Sequence, residues 1–197
     1  MSILADSPID AIAADENGRP FFHDSDMDFS ISHSGGASAG AVAVSLVSEG
    51  NLDPAGSRLK IQSENTHEAK IRTGCDIQLI RPRKNQRNIA EENFCAAERD
   101  YIFSQDAAQF ESARFFQIWT LKECYIKLRG LSVFDMHKAP SFISRDAAGR
   151  YLFTFNATRS SSLSFYLYEL AYAGERYMLA TAIEGDWDIR PEIRLFS

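Results

Sequence analysis

Glu123 and Lys127 stand four residues apart in the segment Trp119-Thr120-Leu121-Lys122-Glu123-Cys124-Tyr125-Ile126-Lys127. On a helix of 3.6 residues per turn, Trp119, Glu123 and Lys127 project from one face, so a carboxylate and an ammonium meet there. Such a pair can move a proton and neutralise an anion, or it can form no more than a surface i,i+4 salt bridge of ~0.2–0.5 kcal/mol. Two other segments add polar groups. Thr73-Gly74-Cys75-Asp76-Ile77-Gln78-Leu79-Ile80 alternates with the period of a strand, placing Cys75, Ile77 and Leu79 on one face and Asp76 and Gln78 on the other. Phe29-Ser30-Ile31-Ser32-His33-Ser34 reads as a second strand running into the Gly35-Gly36 turn, with His33 near that turn. Taken singly, each has a plain structural role: a helix salt bridge, a hydrogen-bonded histidine, an aspartate ending a strand. Together they form an ordered set of strand-borne His and Asp with helix-borne Glu and Lys.

The elements that must position this set follow from the pattern around it. Residues 1–18 read as an irregular or edge segment, and Phe29 to Ser34 and Ala39 to Val47 as two strands. Asn51 to Ser57 has turn chemistry, and Gln62 to Lys70 is polar enough for a loop or an exposed hairpin. The periodicity predicts one helix over Asn88 to Phe103, with Glu91 and Glu92 near its N-terminus. Asp106 is placed to cap a longer helix that ends at Gly130, with Phe110, Leu121, Cys124, Tyr125 and Leu128 as its apolar face and Glu123 beside the core. Tyr151 to Phe155, Leu163 to Leu170 and Tyr177 to Ile183 alternate like antiparallel strands, with Asp146 to Gly149 as a turn, and the whole predicts an α+β fold.

Composition sets the outer bounds. With 197 residues, 45% of them hydrophobic and 24% charged, the chain can bury a substantial core. Its formal net charge of −6 argues against a nucleic-acid role. The N-terminus has no basic region followed by an apolar run, and no stretch approaches the ~20 apolar residues of a spanning helix, so a cytoplasmic protein is expected. Cys75, Cys95 and Cys124 have no metal-ligand spacing and are expected as buried, reduced thiols. Asp24-Ser25-Asp26-Met27-Asp28 lacks the Gly and terminal Glu of a calcium loop, and no G-x-S-x-G elbow supports a hydrolase.

The ordered set resembles that of the 4′-phosphopantetheinyl transferases, closest to the monomeric, surfactin-synthetase-activating type. Ser32-His33-Ser34-Gly35 is similar to the family's SHSG, Gly74-Cys75-Asp76-Ile77-Gln78 to its G-hydrophobe-D-I-E, and Trp119 to Lys127 to its W-S/T-x-K-E-x-x-x-K. Gly18-Arg19-Pro20-Phe21-Phe22 is similar to its GKP-aromatic block, with Arg for Lys, and the interval from Asp76 to Glu123 is close to the usual one.

The resemblance implies two pseudo-symmetric α+β halves with antiparallel strands and a long helix, and coenzyme A bound between them. On that pattern residues 1–50 are a reduced N-terminal half, 51–72 an insertion or linker, and 73–197 a complete C-terminal half carrying the metal site. It implies transfer of the phosphopantetheine arm of coenzyme A to a serine of an apo acyl or peptidyl carrier protein, with Mg²⁺ and release of 3′,5′-ADP. Asp76 and Glu123 would hold the ion, with Gln78 where the family commonly has a second acid. Glu123 would be the base for the carrier serine, and Lys127 would neutralise phosphate charge. Ser32, His33 and Arg19 would contact coenzyme phosphate, and the basic run Arg81 to Arg87 would steer an acidic carrier. The alternative is a non-catalytic relative that binds a carrier protein or a partner enzyme. Coenzyme A binding separates the two.

Overall fold

From Tyr177 to Ile183 every residue is buried, which a strand achieves only at the centre of a sheet with a layer on each face. The computed structural model describes residues 12–22, 27–36, 39–48, 51–52, 58–59, 72–104, 110–154 and 163–185. Along them run β1 (Ile12–Ala14), β2 (Pro20–Phe22), β3 (Met27–Gly36), β4 (Ala39–Ser48), β5 (Asn51–Leu52), β6 (Arg58–Leu59) and β7 (Arg72–Leu79). Helices α1 (Gln86–Asn93), α2 (Ala96–Phe103) and α3 (Glu111–Arg129) follow, then a 3-10 turn (Val133–Lys138) and β8 (Ile143–Arg145), β9 (Tyr151–Phe153), β10 (Leu163–Tyr172) and β11 (Glu175–Glu184). The fold is α+β with antiparallel pairing, as the periodicities predict. No helix among the described residues is long and apolar enough to cross a membrane.

The central sheet has the order β10-β11-β7. Gly74, Asp76 and Gln78 pair with Ala182, Ala180 and Met178, and Gly74 with the two alanines keeps the floor low where α3 lies. Phe116, Leu121, Cys124 and Leu128 of α3 are completely buried in the main core, together with Ile102, Phe142 and the alanines of β11. The opposite face of the sheet carries Ile77, Tyr177 and Leu179 against Ala41 and Ala43 of β4. Helix α3 ends at Gly130, whose φ of 64° and ψ of 32° give the left-handed C-cap expected of it.

Three details depart from the sequence reading. The single helix predicted over Asn88 to Phe103 is two, because Phe94 and Cys95 are extended and Glu98 Oε2 accepts the Cys95 N–H at 3.0 Å, starting a new helix. The other oxygen of Glu98 accepts Phe142 N–H at 2.9 Å, and the buried Lys122 ammonium lies 3.2 Å from the same carboxylate. Phe110 stands at the N-cap of α3 and is 51% exposed rather than part of the apolar face, while Asp106, the expected cap, lies outside the described residues, as do 1–11 and 60–71. Cys75 and Cys124 are buried thiols, but Cys95 is exposed.

The joint between β3 and β7 is not a backbone ladder. In β7, the N–H groups of Thr73, Cys75, Ile77 and Leu79 point away from β11, and β3 meets them with side chains. Asp28 Oδ2 accepts from Thr73 at 2.7 Å, Ser30 Oγ from Cys75 at 3.0 Å, Ser32 Oγ from Ile77 at 3.1 Å and Ser34 Oγ from Leu79 at 2.8 Å. Each acceptor is two residues from the next, matching the pleat of both strands. Ser30 is buried and Ser34 half-exposed, so water can replace only the second hydroxyl. Ser30→Ala is therefore expected to destabilise the protein by about 1–3 kcal/mol, the cost of an unsatisfied buried N–H, in urea denaturation. Ser34→Ala should cost clearly less, and equal losses would contradict this account of the joint.

Candidate active site

Helix α3 and strand β7 touch through Gly74. A side chain there would meet the carbonyl oxygen of Cys124, and its Cβ would lie 2.9 Å from Leu128 N. The Cys124 thiol donates to the Gly74 carbonyl at 3.2 Å across the same contact. This approach lets Glu123 and Lys127, on the α3 face turned to the strand, reach Asp76 and Gln78 two and four residues beyond the glycine.

Asp76 is completely buried and its two oxygens have separate duties. Oδ1 accepts from Ser32 Oγ at 2.7 Å and from Lys127 Nζ at 2.7 Å. Oδ2 accepts from Gln78 Nε2 at 3.0 Å, and the same amide nitrogen donates to Glu123 Oε2 at 3.2 Å. Lys127 Nζ also donates to Ser32 Oγ at 2.9 Å. The Ser32 hydroxyl thus gives one hydrogen bond to Asp76 and receives two, from Lys127 and from the Ile77 backbone, which saturates it.

Burial pushes the Glu123 carboxyl up to about 7, and the nearby Asp76 adds to this, against the opposing pull of Lys127 and Arg83. Burial alone would lower Lys127, but the charge of Asp76, its hydrogen bond and the charge of Glu123 outweigh it and hold the ammonium above the ordinary lysine value. The two groups are therefore tuned apart, one carboxyl poised to exchange a proton near neutrality and one amine held cationic.

Of the residues singled out by sequence, Ser32, Asp76, Gln78, Glu123 and Lys127 come together. His33 does not join their hydrogen bonds: it is exposed, and strand alternation turns it to the face opposite Ser32. Arg19, expected at a coenzyme phosphate, is mostly buried in a clamp. Its Nη1 and Nη2 grip both Asp28 oxygens at 2.9 and 2.6 Å, Nη2 also donates to Thr73 O at 2.9 Å, and Nε donates to Lys127 O at 3.1 Å. Asp28 is the residue that the sequence reading missed. It alternates with Ser30 and Ser32, and all three are buried although the pattern looks like a solvent face.

Two carboxylates converging on one point suit Mg²⁺, which prefers oxygen and is commonly held by one or two carboxylates plus substrate phosphates. Among the described residues no group of three or more His, Cys, Asp or Glu side chains is placed to hold a metal ion, and Asp76 and Glu123 are the two acids that share the Gln78 amide. The thiols of Cys75 and Cys124 are both raised by burial and offer no thiolate.

Comparison with known proteins adds an independent line. Residues 72–182 match the family model of the 4′-phosphopantetheinyl transferase superfamily, a stretch that contains Asp76, Gln78, Glu123 and Lys127. The chain is 30% identical over 131 residues to the 4′-phosphopantetheinyl transferase AcpT of Salmonella typhimurium, covering 66% of this chain and 55% of that protein. It is similarly 30% identical over 131 residues to the AcpT of Escherichia coli K12, covering 54% of it. The chain thus spans about half the length of the curated relatives it matches.

The raised Glu123 carboxyl has a consequence for stability. Between its ordinary value of 4.5 and about 7, the folded protein keeps a proton that the unfolded chain has released, so stability falls as pH rises through that window. Metal-free wild-type protein should lose roughly 3 kcal/mol between about pH 4.5 and pH 8 relative to Glu123→Gln. Urea denaturation of both proteins at the two pH values in EDTA measures it, and parallel pH dependences would refute the shift.

Proposed function

The chain belongs to the 4′-phosphopantetheinyl transferase superfamily, and from that membership we propose that it transfers the 4′-phosphopantetheine arm of coenzyme A to a serine of an apo acyl or peptidyl carrier protein. The observation that carries this reading is the meeting of Asp76, Glu123 and Lys127 where β7 and α3 touch. The serine oxygen attacks the phosphorus that bears the pantetheine arm. The bond from that phosphorus to the departing oxygen breaks, and 3′,5′-ADP leaves with the electron pair.

Each residue of the cluster has a role in this step. Glu123 takes the serine proton as its hydroxyl attacks, directly or through a water molecule. Lys127 stays cationic and neutralises charge on the phosphate oxygens. Ser32 and Asp76 fix the position of the Lys127 ammonium through two hydrogen bonds. Arg19 acts at one remove by holding the Lys127 carbonyl, and His33 is the exposed group of the SHSG block available to coenzyme phosphate. Asp76 and Glu123 would hold Mg²⁺, which when bound supplies positive charge to the diphosphate.

Titration of coenzyme A into the protein with and without Mg²⁺ tests the reading without a guess at the carrier. Binding should strengthen at least tenfold with Mg²⁺, and Glu123→Ala should remove that gain. Transfer to an apo carrier should fall by about 10²–10⁴-fold in Glu123→Gln. Absence of coenzyme A binding under both conditions would favour the non-catalytic docking protein, to which a neutral Gln78 between the acids is also suited.

The basic run between β7 and α1 gives a second prediction. Arg83 lies 5.2 Å from the Phe116 ring centroid and is half-buried, whereas Arg81 and Lys84 are exposed. Arg81→Glu with Lys84→Glu should raise the KM for an acidic carrier at low salt and leave kcat unchanged. An unaltered KM would remove the run from carrier recognition.

A further inference from the structure

We propose that Gln78 is a strap that competes with the metal ion for Asp76 and Glu123 instead of serving as a third ligand to it. The inference rests on the metal-site reading above and deepens it. The amide nitrogen of Gln78 sits 3.0 Å from Asp76 Oδ2 and 3.2 Å from Glu123 Oε2. With a carboxylate on each side, the group facing them is the NH₂ and not the carbonyl, since an amide oxygen there would confront two acceptors. Its two N–H bonds are both used, one on each acid.

The choice of oxygen makes the competition direct. Asp76 Oδ1 is already engaged by Ser32 and Lys127, which leaves Oδ2 for an incoming cation. Oδ2 is the atom that the strap holds. Mg²⁺ sits ~2.0–2.1 Å from its ligands in a near-octahedral shell, so the ion and an N–H cannot share that side of the oxygen. Admission of the ion requires the amide to turn away and gives up its hydrogen bonds to both acids. In return, the strap holds two acids from different elements together when no ion is present, doing without net charge what Mg²⁺ would do with two.

The test is Mg²⁺ titration by calorimetry, with and without coenzyme A, and thermal melting in EDTA, on wild type and variants at position 78. Gln78→Met keeps the length of the side chain and removes both donors. It should bind Mg²⁺ at least threefold more tightly than wild type while melting lower in EDTA. Gln78→Asn, which keeps the amide but draws it back by one methylene, should shift both quantities in the same directions and serves if the methionine variant does not fold. Affinity equal to or weaker than wild type in the variants would overturn the strap and make Gln78 a ligand. Gln78→Glu supplies a third acid and should bind most tightly under either role, so it reports on the site itself. If neither wild type nor Gln78→Glu binds Mg²⁺ with or without coenzyme A, the metal-site reading fails, and the competition fails with it.

Discussion

The row of four β7 N–H groups that no neighbouring strand pairs with is the constraint on which the rest of the site depends. A sheet edge buried against another layer must satisfy its donors, and here it does so with the side chains of β3. Because Asp28, Ser30, Ser32 and Ser34 follow the same two-residue pleat as Thr73, Cys75, Ile77 and Leu79, satisfying one pair aligns all the others. That alignment puts the Ser32 hydroxyl within reach of both Asp76 and Lys127. A structural requirement of the sheet edge and the placement of a polar group in the site are met by the same atom.

The site is a balance struck around one buried carboxylate. Asp76 has no exposure to water, and it is tolerated because Lys127, Ser32 and Gln78 supply its donors. Glu123 has the weaker position, with the Gln78 amide at 3.2 Å and Asp76 as a like-charged neighbour. Burial is the main cause of the raised Glu123 carboxyl, and the charge of Asp76 adds to it. The helix and the strand bring the two acids so near only by standing close, and the absence of a side chain at Gly74 allows that.

Much of this was legible in sequence, for reasons that differ by residue. The i,i+4 spacing of Glu123 and Lys127 survives into the structure because α3 is regular from Glu111 to Arg129 and stops at a glycine. The β10 and β11 strands form where the sequence places them, although β11 is buried on both faces, and Asp76 and Gln78 share a face as the period of two requires. The break between α1 and α2 was hidden because apolar residues continue on both sides of Phe94 and Cys95, and the breaking signal is a Glu reaching back to an N–H rather than a Gly or Pro. Arg19 drew a phosphate role from its motif, yet its partner Asp28 lies only nine residues away and takes both nitrogens. The serine alternation of β3 looks like a solvent face, and only the tertiary arrangement reveals that Asp28, Ser30 and Ser32 are buried. Ser32 and His33 are adjacent in one motif but cannot share a face of one strand.

The β3 and β7 joint also stores positional information unevenly. Three of its four acceptors are serines and all four donors are backbone, so sliding one strand by two residues would preserve most of the hydrogen bonds while exchanging Ser32 for a neighbouring serine beneath Lys127. The one rung that has no equivalent is Asp28, which is also bound by Arg19, itself tied to Thr73 and to the last turn of α3. The strand therefore works like a vernier with a single stop, set four residues, or about 13 Å, from the serine whose alignment it guarantees.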